Sequence, residues 1–169
     1  AGAGNNFTTT FLPRGGEVAV VAADITISDV DQTDRTDATK QDRISKAVVQ
    51  ITGGDDDNYP GLTDETLTFK DAGTATTTWN ALSISGNGGT TVTITGVADW
   101  ATYQTALQKV VYNNANPTPT TGNRTIEITV TDNDDTDALA AHTNKLTATA
   151  TTTMNVASVA VVDLNGDVA

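Results

Sequence analysis

The chain contains no Cys, one His, four Pro, and aromatic residues amounting to only 5% of its 169 positions. Without Cys there can be no disulfide, no thiol nucleophile and no Cys-ligated zinc or iron. The single His, His142, lies in the Ala-rich stretch ALAAHTN, where an imidazole is far more often a surface group than a general base. No Gly-x-Ser-x-Gly elbow is present. Paired carboxylates can hydrolyse glycosides, but a chain of short strands offers no evident deep cleft for a sugar. The residues therefore predict a protein that is not an enzyme. Basic residues are also scarce, 9 Lys and Arg against 21 Asp and Glu, giving a formal net charge of -12 and a pI near 4.1. That balance argues against nucleic acid and anionic membrane surfaces, both of which need clustered Lys and Arg. No stretch reaches the apolar length of a membrane span, so no membrane insertion is expected, and no basic-then-apolar signal opens the chain, which reads as a segment of something larger.

What the chain does have is Thr, roughly a fifth of its residues, with Val and Ile between turn signals, which is strand composition. FTTTF and EVAVV alternate apolar and polar residues as two short strands split by Pro13 and the Gly15-Gly16 pair. ISKAVVQIT predicts a central strand with Ile44, Ala47, Val49 and Ile51 inward and an irregular start. ETLTF, ALSIS and TTVTIT place Leu67 and Phe69, Leu82 and Ile84, Val92 and Ile94 on a core face by their period of two. One segment breaks this period: in ADWATYQTALQKVVYNN, Trp100, Tyr103, Ala106 and Leu107 fall at helical spacing behind Asp99, a good N-cap acceptor. A helix over about residues 99–108 is predicted, running into a strand at Val110–Tyr112, with the two aromatics packing it onto a sheet rather than stacking on sugar. RTIEITVTD and KLTATATTTMNV complete some eight strands. The fold expected is all-β, an immunoglobulin/cadherin-like Greek-key β-sandwich with one short helix, over residues 1–158.

With these segments in order, the sequence resembles the cadherin-like repeats of giant bacterial surface adhesins of the RTX type. The resemblance rests on NNFTTTF followed by GGEVAVVAADITISDVD, on ITGVADWATYQTALQKVVYNN, on NRTIEITVTDND, and on the tail VVDLNGD, which looks like the phrase that opens a next repeat. It implies an extracellular, calcium-binding structural unit on the bacterial cell surface, with residues 159–169 as the linker to a following repeat and neighbouring repeats as partners. The insert QTDRTDATKQDR and the acidic loop DDDN at Asp55 to Asn58 depart from a plain repeat. A second reading is therefore a ligand-binding module recognising a glycan or protein through its long loops, Gln32 to Arg43 and Gly53 to Pro60.

Calcium takes six to eight oxygens from carboxylates, amides and carbonyls. Side chains two apart on an extended segment point the same way, so an Asp-x-Asp pair can grip one ion or bridge two. Such sets occur three times: Asp29 with Asp31, Asp132 with Asp134, and Asp163 with Asn165 and Asp167 in the tail. The tail meets the first, third and fifth positions of the calcium-loop pattern, but Val168 stands where that loop needs Gly, so no EF-hand is assigned. Asp and Asn are also ordinary turn residues, whose side chains bond the backbone two residues on. Glu17 is a further ligand candidate, because in the resembling repeats an acidic residue just before the second short strand approaches the linker ions.

Overall fold

Alternation of apolar and polar residues becomes strand pairing in the computed structural model, which describes residues 6–27, 43–54, 64–72, 77–133 and 147–158. Among these residues ten strands form, β1 (Asn6–Phe11), β2 (Val18–Ala19), β3 (Arg43–Gly53), β4 (Glu65–Phe69), β5 (Thr77–Trp79), β6 (Leu82–Ser85), β7 (Thr91–Ala98), β8 (Val110–Asn114), β9 (Gly122–Asn133) and β10 (Thr147–Val156), with one helix, α1 (Trp100–Gln108), between β7 and β8. They make two sheets, one of seven strands in the order β1-β10-β9-β3-β7-β6-β5 and one of three in the order β2-β8-β4. All pairings are antiparallel except that of β1 with β10, which is parallel.

One core lies between the sheets. From the larger sheet it takes Phe11, Ile44, Ala47, Val49, Leu82, Ile84, Val92, Ile94, Ile126, Ile128, Met154 and Val156, and from the smaller one Leu67, Phe69, Val110 and Tyr112. The inward residues expected of β3, β4, β6 and β7 are buried, save Ile51, which is half-buried. The irregular start of β3 is a register shift between Ile44 and Lys46 against both neighbours. The Pro13 to Gly16 break is where the chain changes sheets, since β1 pairs with β10 and β2 with β8. Of EVAVV only Val18 and Ala19 pair as strand, while Val20 and Val21 are buried beyond it.

Helix α1 forms as its spacing predicts. Asp99 caps it, Oδ1 accepting from the Thr102 amide at 2.7 Å, and this hydrogen bonding holds the Asp99 carboxyl below its ordinary range. Tyr103, Ala106 and Leu107 are buried, Trp100 packs against the core, and the Tyr103 hydroxyl donates to Gly96 O at 2.6 Å. Burial pushes the Tyr103 phenol up to about 12.

Two turns fix the ends of the smaller strands. Gly86 (φ +77) leads into a loop whose Gly89 bridges to Leu67, and a Cβ at Gly86 would come within 2.1 Å of Thr91 O, so only glycine fits. Asn87 in that loop accepts from Phe69 N at 2.6 Å and donates to Ala72 O at 3.1 Å, tying the loop to the end of β4. The β5–β6 hairpin turns on Asn80 (φ 47) and Ala81 (φ 64), both with positive φ as a two-residue type I′ turn requires. Asn tolerates this region and Ala does not. Ala81→Gly is therefore expected to raise stability by about 0.5–1 kcal/mol, the relief of the left-handed strain exceeding the added flexibility of the unfolded chain. A urea melt reads this as a higher midpoint at unchanged slope, and an unchanged or lower midpoint would contradict it.

Candidate functional site

Strand register sets where the acidic segments attach. Arg43 pairs with Asn133 and Ile44 with Asp132, so the segment carrying Asp29 and Asp31 rejoins the fold beside the end of β9. Its other side follows Ala23, whose carbonyl accepts from Gln108 Nε2 at 2.7 Å, at the C-terminal end of α1. The segment carrying Asp134 leaves β9 after Asn133 and returns at Thr147, which pairs with Thr131. Segment 134–146 is thus anchored at this pole by both ends, and segment 28–42 by its return at Arg43. The third acidic segment follows β10, whose last residue, Val156, pairs with Gly122 at the other end of β9. Ten consecutive register partners between β9 and β10 carry the chain from one pole to the other.

Of the expected ligands, Glu17 and Asp132 are among the described residues, while Asp29, Asp31, Asp134, Asp163, Asn165 and Asp167 lie outside them. Asp132 is half-buried, and its carbonyl accepts from Ser45 Oγ at 2.7 Å. Glu17 is exposed, with Oε2 at 3.8 Å from Lys70 Nζ. The fold does not bring these two together. Glu17 precedes Val18, which pairs with Tyr112 of the smaller sheet, and Tyr112 reaches Glu65, the partner of Arg124 near the start of β9, whereas Asp132 is near its end. Among the described residues no group of three or more His, Asp or Glu stands close enough to hold a metal.

A different polar cluster is present that residue patterns had not singled out. Glu65 opens β4 on the same face as Leu67 and Phe69, and Arg124 sits on the core face of β9 with Ile126 and Ile128; all six are buried. Arg124 Nε lies 2.5 Å from Glu65 Oε1, each side chain 3% exposed, and the pair joins the two sheets. The same oxygen accepts from the Tyr112 hydroxyl at 2.7 Å and from Asn114 Nδ2 at 3.3 Å, and Arg124 Nη2 donates to Thr120 O at 2.9 Å. Oε2 of Glu65 is buried without a partner among the described residues. Burial and the Glu65 carboxylate together push the Tyr112 phenol well above its ordinary value. A carboxylate shielded from solvent and already engaged by three donors is a cross-sheet tie, out of reach of an external substrate. It fastens the pole from which the chain departs after β10.

No family model, curated protein or solved structure matches the chain. No helix among the described residues is long and apolar enough to cross a membrane.

Proposed function

We propose that the chain is a calcium-binding extender unit of a large bacterial cell-surface adhesin, an immunoglobulin- or cadherin-like Greek-key sandwich working outside the cell and joined end to end with neighbouring repeats. The observation that carries this reading is polar separation: acidic segment 134–146 attaches at one pole by both ends and segment 28–42 returns to the fold there at Arg43, while the tail with Asp163, Asn165 and Asp167 departs from the other. A unit with ligand-rich segments at both ends can share ions with the unit before it and the unit after it. Calcium needs six or more oxygens, more than one short segment supplies, so the ions would sit where two segments meet and would stiffen the joint between units. The surplus negative charge has the same sense, since closely spaced carboxylates repel until a cation neutralises them.

The binding-module reading fares less well on the same geometry. Its two loops attach at opposite ends of β3, an 11-residue strand spanning about 35 Å, and a single ligand would have to engage segments that join the fold that far apart.

Small-angle scattering on two units in tandem tests the proposal. Calcium should lengthen the maximum dimension, and chelator should shorten or broaden it, with Asp163→Ala plus Asp167→Ala in the first unit behaving as chelator does. Equal extension with and without calcium would make the tail an ordinary linker and refute the stiffened joint.

A further inference from the structure

We propose that the fold is built to bear tension between its two chain ends, through a hydrogen-bonded clamp between β1 and β10 that works without calcium. Among the described residues the first strand and the last are direct neighbours and run parallel, from Asn6 beside Thr151 to Phe11 beside Val156. Ala157 N donates to Phe11 O at 3.1 Å and extends the ladder by one step. Because the strands are parallel, the chain enters β1 at one end of the pair and leaves β10 at the other. Tension on the two ends drags the strands lengthwise in opposite directions, so all the bonds of the ladder resist together. In an antiparallel terminal pair the same pull would open them one at a time.

The clamp is backed on both sides. β10 is held by ten register partners in β9, and β9 in turn by β3. On the core side, the fully buried Thr152 hydroxyl of β10 donates to Val20 O at 2.6 Å, so the segment that follows β1 is tied to the same strand. Phe11 is buried edge-on against Tyr112, ring centroids 5.2 Å apart, which anchors the far end of β1 in the core. That such a load is met in use rests on the extender reading. The clamp itself follows from strand order and direction.

Single-molecule pulling on the full chain in two geometries tests this. One attachment uses the two termini. The other uses the C-terminus and Thr10→Cys, an exposed position at the end of β1 beside Asn155, which is unique because the chain has no Cys of its own. The second geometry peels β1 from β10 starting at Phe11. Forced unfolding reports the barrier rather than the equilibrium stability, so a difference between attachments reports geometry alone. The rupture force between the termini is expected to exceed that of the Thr10 geometry several-fold at equal pulling speed, in calcium and in chelator alike. Comparable forces in the two geometries would overturn the clamp. So would a terminal rupture force that falls to the Thr10 value on chelation, because the resistance would then belong to bound ions. Neither outcome alters the scattering test of the extender reading, which concerns the joint between units.

Discussion

Replacing Arg124 with Met is expected to cost about 3–5 kcal/mol, because it leaves the Glu65 carboxylate buried beside only the Tyr112 and Asn114 donors. Replacing Glu65 with Met should cost a similar amount, since the buried guanidinium keeps only Thr120 O among the partners described above. For a chain of this length either loss is a fall of roughly 10 °C in melting temperature. The double replacement should recover much of this, as a buried ion pair is worth little over apolar residues of similar volume once neither charge is stranded. Recovery will be incomplete, because the Tyr112 hydroxyl then has no acceptor at Glu65, and adding Tyr112→Phe should restore more. A double-mutant cycle measures the coupling directly, and single replacements that each cost under about 1 kcal/mol would show that the pair is no tie between the sheets.

The ion pair also marks how far sequence reasoning reaches. Each half was visible: Glu65 at two-residue spacing from Leu67 and Phe69, and Arg124 likewise from Ile126 and Ile128, put a charge on a core face. What no local pattern contains is that residues 59 positions apart meet, because the meeting depends on which strand lies opposite which. Sheet membership was hidden for the same reason. The break at Pro13 was plain, but nothing in FTTTF tells a parallel partner in β10 from an antiparallel one, since backbone hydrogen bonds leave no trace in side-chain type. β5 was missed because three residues carry too little period to register, with Trp79 only half-buried. Segments with strong internal signals, the capped helix and the alternating strands β6, β7 and β9, were legible because their own residues determine them. The candidate ligands were legible only as pairs in sequence, since calcium coordination is a property of several segments at once.

Calcium is expected to stabilise the single unit through the pole that carries two acidic segments, and not through its tail. Extracellular calcium modules bind at about 10⁻⁴ to 10⁻³ M. At roughly 10 mM calcium one site of the tighter kind adds about 2.7 kcal/mol, which for a chain of this size raises the melting temperature by about 5–10 °C. Asp29→Asn plus Asp31→Asn should remove most of that rise, because the segment holding them rejoins the fold at Arg43, beside the strand that carries Asp132. Asp163→Asn plus Asp167→Asn should leave it intact, because the tail departs at the opposite pole, where the following unit would have to supply the remaining oxygens. Magnesium and sodium chloride at matched ionic strength separate a site from simple screening of the net charge, which any salt provides. Isothermal calorimetry should give the same division, with heat lost in the first variant and kept in the second. A melting curve unmoved by chelator would exclude an occupied site in the single unit, and a rise that survives the first substitution but not the second would put the ion at the wrong end of the molecule for this proposal.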